Sequence, residues 1–216
     1  MVYDCFPFFN ELDLLEIRLA QHDSQVDRFV LCESTTTHMG DPKPLYFAEH
    51  RSRYGPWLDK ILHLVYEPPE GDYNPWIREN EQRKYLGRAL EDCGPMDVVL
   101  HSDLDEILHP EVIRDYVWYT GRWANPMLGI PQLRPAYFYV NCQALDCNWN
   151  EARLLRWGWM QGTHYRLADL HDLRHFHGHL YDCLPLRVPE AGWHFGWLGG
   201  YEAIKTKFRA LPDRVP

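Results

Sequence analysis

Four short apolar runs, each bounded by helix or turn signals, constrain this chain more than any other feature. They are Val2–Phe9, Arg28–Cys32, Ile61–Tyr66 and Asp97–Leu100. Arg28-Phe29-Val30-Leu31-Cys32 is continuous rather than alternating, as a strand buried on both faces should be. Between the first two runs, Leu12, Leu15 and Leu19 recur at helical spacing, with Asn10 placed to cap that helix. A Thr-, Gly- and Pro-rich loop spans 34–44, and Pro68-Pro69 stops the third run. Residues 76–93 read as a helix that ends at Gly94-Pro95. Strands alternating with helices predict a layered α/β fold with a mostly parallel central sheet and flanking helices.

The second half has fewer regular periods. Pro110-Glu111-Val112-Ile113 has the form of a helix start, and 135–141 reads as an aromatic strand. From 149 to 197 the chain is crowded with Trp, His, Arg and Gly, the pattern of a binding face built from loops and short strands. Gly199-Gly200 precedes a last basic helix, 201–210. No internal repeat or linker divides the 216 residues, so one domain is expected over 1–216.

Charge and composition exclude several classes. With 22 Lys+Arg against 31 Asp+Glu the net charge is −9, which is wrong for wrapping nucleic acid. No apolar run approaches the roughly 20 residues of a transmembrane helix. Met1-Val2-Tyr3-Asp4 carries an acid where a signal peptide has its basic region, so a cytoplasmic location is expected. The cysteines at 5, 32, 93, 142, 147 and 183 form no C-x-x-C and read as reduced and structural. Aromatic residues make up 14%, with 9 Trp, and such rings either fill a core or line a ligand surface.

The sharpest chemical feature is Ser102-Asp103-Leu104-Asp105-Glu106, directly after the fourth run. Ligands of open α/β sheets bind beyond the carboxyl ends of strands. Asp103 and Asp105 can point the same way on extended backbone, and clustered carboxylates suit magnesium or manganese, which in turn can hold a diphosphate. The plainer alternative is a polar turn with one acid capping the next helix. A second feature is Gly192-Trp193-His194-Phe195-Gly196-Trp197, where glycines would admit a close ligand, Trp would stack on sugar rings and His194 could reach the same cation. His171, His175, His177 and His179 invite a zinc reading that no further ligand supports. Arg78, Arg83 and Lys84 read as a solvated helix face, from which one Arg could reach a phosphate. There is no P-loop, G-x-G-x-x-G or G-x-S-x-G.

Several longer blocks are similar to those of one known family. Residues 10–18 (Asn-Glu-Leu-Asp-Leu-Leu-Glu-Ile-Arg), 29–34, 40–47, the D-x-D-E strand end within 97–107, and Gly192-Trp193-His194 with Glu202 resemble glycosyltransferase family 17, in the same order. The resemblance implies a GT-A-like glycosyltransferase fold with a Rossmann-like N-terminal half. Residues 1–109 would hold a nucleotide sugar and 110–216 a glycan or glycoconjugate acceptor. It implies Mn2+ or Mg2+ held by Asp103, Asp105 and His194, and a UDP-sugar donor, with UDP-N-acetylglucosamine the first guess. Glu33, Asn80, Arg83, Asp103 and Trp193 would contact the donor, and the base would be Glu202, Asp182 or Glu190, with Glu202 leading. The reaction implied is inverting transfer of the sugar to an acceptor hydroxyl. Two other readings stand beside it, a glycoside hydrolase and a non-catalytic carbohydrate-binding protein. The chain lacks the family's N-terminal membrane anchor and stops soon after the G-W-H block, so a C-terminus cut short is expected.

Overall fold

A computed structural model describes residues 1–69, 71, 74–122, 128–162, 169–176 and 185–212. Its four apolar runs are strands: β1 (Val2–Phe8), β2 (Arg28–Ser34), β3 (Ile61–Tyr66) and β4 (Val98–His101). They lie parallel in the order β3-β2-β1-β4, joined by segments that include α1 (Leu12–His22), α2 (Tyr46–Glu49) and α3 (Pro75–Tyr85). Alternate residues bury opposite faces. Phe6, Phe8, Phe29, Leu31 and Leu100 pack with Leu15 and Leu19 of α1. Tyr3, Cys5, Val30, Cys32 and Val99 pack on the other side with Leu86 and Leu90. Two covered faces are why these runs are apolar throughout.

Helix ends depart from the reading in two places. Asn10 does not cap α1; the capping position is Glu11, whose side chain accepts from the Asn10 N–H (3.1 Å). The helix expected over 76–93 is capped by Asn74 with Pro75 in its first turn, and its last part tightens to a 3₁₀ helix over Leu86–Leu90.

Beyond β4 come β5 (Glu106–Leu108), α4 (Pro110–Arg122), β6 (Gly129–Tyr137) and β7 (Arg153–Arg156). Then follow α5 (Trp157–Gly162), α6 (Leu170–His175), β8 (Leu186–Gly196) and α7 (Gly200–Ala210). All eight strands form one sheet, β3-β2-β1-β4-β7-β6-β8-β5. β7 is antiparallel to both β4 and β6, and β5 is antiparallel to β8. The sheet is therefore mixed rather than mostly parallel. Parallel neighbours need a long crossover, whereas after β6 the chain doubles back at Phe138 (φ 68°) and returns as β7. The aromatic strand expected over 135–141 lies earlier, as β6. No helix among the described residues is long and apolar enough to cross a membrane.

A buried charge cluster ties the turn after β4 to this frame. Arg18 of α1 is fully buried and donates to both Asp4 oxygens (2.9 and 2.5 Å) and to Ser102 Oγ (2.6 Å). Its remaining N–H groups reach the carbonyls of Asp103, Leu104 and Glu106 (2.7, 3.1 and 2.9 Å). His22 adds a second clamp: its Nδ1 stands 2.8 Å from Asp4, and its Nε2 lies against the Leu108 backbone, 3.2 Å from the N–H and 3.1 Å from the carbonyl oxygen. Burial alone would raise the Asp4 carboxyl, but Arg18 and His22 outweigh it and hold it at about 2.

Arg18→Met leaves Asp4 with His22 alone and strands the turn carbonyls without donors. It should cost about 3–5 kcal/mol in urea unfolding, and a loss below 1 kcal/mol would contradict the clamp. Because the Asp4 pKa is lowered from 3.8 to about 2, its contribution is present above pH 4 and lost as pH falls toward 2. The stability difference between the wild type and Asp4→Asn should therefore hold steady above pH 4 and shrink below it, which unfolding curves across that range would show.

Candidate active site

A cavity of about 520 Å³ opens beyond the carboxyl ends of β1 and β4. Pro7, Phe8 and Phe9 line it from the end of β1, His38 from the loop after β2, and Trp76, Glu79, Asn80, Gln82 and Arg83 from α3. The turn after β4 contributes Asp103, Leu104 and Asp105. Trp149, Arg174 of α6, His194 and Trp197 at the end of β8, and Lys207 of α7 complete the opposite wall with Glu11. A largely preformed concavity at strand ends is where an α/β sheet binds ligands.

The two acids of the D-x-D string have different partners. Both oxygens of Asp103 are taken by guanidinium groups, Oδ1 by Arg83 (2.5 Å) and Oδ2 by Arg174 (2.6 Å). Burial alone would raise the Asp103 carboxyl; Arg174 and Arg83 overcome it and hold it far below the usual carboxylate range. Glu106, fully buried beneath, accepts from Arg174 (2.9 Å) and the Trp149 indole (2.6 Å), and its other oxygen accepts the Asp103 N–H (3.1 Å). Asp105 instead meets the Lys207 ammonium at 3.0 Å on Oδ2 and His194 Nε2 at 3.8 Å from Oδ1. The His194 ring is held by Trp149, stacked on it at 4.2 Å. Burial disfavours the Lys207 charge, yet Asp105 and Glu11 keep its pKa raised.

Of the expected site residues, Asn80, Arg83, Asp103, Asp105 and His194 come together around this cavity. Others do not. Glu33 is buried away from the lining, accepting the Phe47 N–H (3.1 Å) and paired with Lys43 (3.6 Å) and His63 (3.3 Å). Strand alternation turns Trp193 to the sheet face opposite His194, where it stacks on Phe195 at 6.2 Å. Glu202 is exposed in the first turn of α7, and Glu190 is exposed on β8 against Arg134. Asp182, His177, His179 and Cys183 lie outside the described residues. His171 and His175 line the cavity with rings 4.7 Å apart. Cys5, Cys32, Cys93, Cys142 and Cys147 are free thiols. Gly192 serves packing rather than a ligand, since a Cβ there would lie 2.2 Å from the Ile107 carbonyl oxygen.

Sequence reasoning missed Arg174, Lys207, Trp149 and Glu11. No motif marks Arg174 or Lys207, because what distinguishes them is the distant acid each one meets.

Comparison with known proteins follows the same lines. The chain is similar to the beta-1,4-mannosyl-glycoprotein 4-beta-N-acetylglucosaminyltransferases of Homo sapiens and Mus musculus. The human protein is 32% identical over 125 residues, 54% of this chain and 23% of the relative. The mouse protein is 31% identical over 219 residues, 92% of this chain and 40% of the relative. The chain thus spans well under half the length of these relatives. Among solved structures it is similar, at a TM-score of 0.49 and 11% identity, to mannosyltransferase PcManGT from Pyrobaculum calidifontis in complex with GDP-Man and Mn2+, over 88% of this chain and 56% of that one. The model of glycosyltransferase family 17 matches residues 1–167, which take in β1 to β7, α3 and both D-x-D acids. With so much of the chain inside that match, this protein belongs to glycosyltransferase family 17.

Proposed function

We propose that this chain carries the catalytic site of a metal-assisted inverting glycosyltransferase of GT-A architecture, moving a sugar from a nucleotide donor to a hydroxyl of a carbohydrate acceptor. Family membership supports the reaction class, and the names of the relatives support N-acetylglucosamine as the sugar moved, with UDP as its carrier what the family resemblance implies. The observation that carries the reading is the Asp105–His194 pair facing a cavity at the strand ends.

The donor set fits Mn2+ or Mg2+ in part. Among the described residues no three His, Cys, Asp or Glu side chains stand close enough to hold a metal together. Asp105 and His194 offer one oxygen and one nitrogen to the same space, and a cation, the Lys207 ammonium, already stands on Asp105. Such ions are commonly held by one or two protein groups, with substrate phosphates and water as the remaining ligands. Asp103 does not fit as a ligand, since two guanidinium groups claim its oxygens. When bound, the ion offsets charge developing on the leaving diphosphate. Charge balance favours it too: Glu11, Glu79, Asp103 and Asp105 line the cavity against Arg83, Arg174 and Lys207, leaving no positive surplus for an anionic donor.

The chain's own residues then divide the work. Asp103, held rigid by its two arginines, accepts a ribose hydroxyl through a remaining lone pair. Asn80, Trp76 and Phe9, which line the cavity, would take the nucleoside. Trp149 and Trp197 flank the sugar end and exclude water, which limits hydrolysis of the donor. Glu190 and Glu202 lie outside the lining, so the base is Glu11 or Glu79, which face the cavity and would have to leave Lys207 and Arg83 to act, or Asp182, which lies outside the described residues. A glycoside hydrolase would need two acids free to act across a cleft, whereas each of the four acids that line the cavity, Glu11, Glu79, Asp103 and Asp105, is paired with a cation.

Calorimetry with UDP-N-acetylglucosamine should show binding that requires Mn2+ and falls about tenfold or more in Asp105→Ala, a loss of roughly 1.4 kcal/mol. Metal-indifferent binding that survives the substitution would overturn the reading, and a panel of other nucleotide sugars with product analysis tests the donor. For the base, Glu190→Gln and Glu202→Gln should stay within about twofold of wild-type turnover, while one of Glu11→Gln, Glu79→Gln and Asp182→Asn falls by about 10²–10⁴.

A further inference from the structure

We propose that Lys207 is an exchangeable counter-ion of the site: its ammonium stands on Asp105 and Glu11 while no metal is bound, yields Asp105 to a divalent cation, and then serves the donor's phosphate from the side of α7. The inference rests on the transferase reading above.

It starts from the contrast between the two acids. Asp103 is held by two planar guanidinium groups, each itself fixed, Arg83 by Glu79 (2.8 Å) and Arg174 by Glu106 (2.9 Å). Such forks make a lasting, oriented contact. Asp105 has one compact ammonium at the end of a flexible stem, shared with Glu11 at 3.3 Å. Two carboxylates from distant parts of the chain, Glu11 before α1 and Asp105 after β4, converge on that single charge. On the far side of the same carboxylate stands His194 Nε2. A divalent cation entering between Asp105 and His194 would compete with Lys207 for the charge of that one carboxylate and repel the ammonium from it. The displaced ammonium then has the cavity before it, and the cavity is where the diphosphate comes to lie.

The helix that carries Lys207 is built to allow this. Ala210 is the only buried residue of α7, and its first turn follows Gly199, in left-handed backbone at φ 103°. A helix with so little buried surface is held weakly apart from its ion pair, and weakly held elements are those that shift on binding. Arg83 and Arg174, by contrast, project from α3 and α6, which pack against each other and against the second core cluster.

The test is calorimetry of MnCl2 alone, and of UDP at saturating Mn2+, on the wild type and Lys207→Met. Removing the competing ammonium should tighten Mn2+ binding about tenfold in the absence of nucleotide and weaken UDP binding about tenfold in its presence. A merely structural ion pair would leave Mn2+ affinity unchanged or lower it, and that result overturns the inference while leaving the transferase reading intact. If the wild type binds neither Mn2+ nor UDP with Mn2+, both fall together. Should Lys207→Met fold poorly, Lys207→Arg serves to assign the Lys207 resonance in wild-type protein labelled with ¹³C at lysine Cε. Mg2+ alone should then shift that resonance and UDP should shift it again; a signal unmoved by Mg2+ overturns the inference.

Discussion

The guanidinium of Arg18, sealed between α1 and the sheet, is the contact on which the geometry of the site depends. It joins a carboxylate on β1, Asp4, to three consecutive features of the turn after β4: the Ser102 hydroxyl and the carbonyls of Asp103 and Leu104, with Glu106 beyond. A turn carrying three acids would otherwise spread by like-charge repulsion. Holding its carbonyls from beneath leaves the side chains of Asp103 and Asp105 directed at the cavity, while Glu106 turns into the protein. A buried ion pair of this kind adds little net stability compared with an apolar substitute, but it specifies one backbone path.

Above that turn the charges form two layers of different permanence. Arg83 and Arg174 clamp Asp103 and hold it ionised, and Arg174 also neutralises Glu106 below. The two arginines and Glu106 of this layer are buried, and together they fix the Asp103 carboxylate in place. The Asp105 layer is lighter, with one lysine and one histidine on the carboxylate and Trp149 holding the histidine ring. Trp149 couples the layers, since its ring packs on His194 while its indole N–H donates to Glu106.

Much of this was legible in the residues. Continuous apolar runs require cover on both faces, which led directly to β1 to β4 and to a binding place beyond their ends. The D-x-D acids could be chosen because they follow a buried strand, and His194 because it sits among glycines and tryptophans in a block whose order matches one family. What could not be read was any role decided by a partner far away in sequence. Glu33 had the position of a donor contact, but Lys43 and His63 close around it. Trp193 had the chemistry of a sugar platform, but the pleat that points His194 inward sends its neighbour outward. Glu202 matched a family block, yet it falls on the exposed side of α7.

The antiparallel half shows the same division. Its strands are short, or interrupted by Pro131, Pro135 and a bulge, so their periodicity was weak and their direction could not be inferred. By itself the sequence determined the parallel α/β half, the family, and which acids lie at a strand end, because burial and backbone periodicity are local properties written into consecutive residues. The tertiary structure alone decided which cation meets which acid, that Arg174 and Lys207 line the cavity at all, and that the two D-x-D carboxylates meet different partners. Those outcomes depend on charges separated by 71 and 102 positions, brought within hydrogen-bond distance only when the whole sheet has closed.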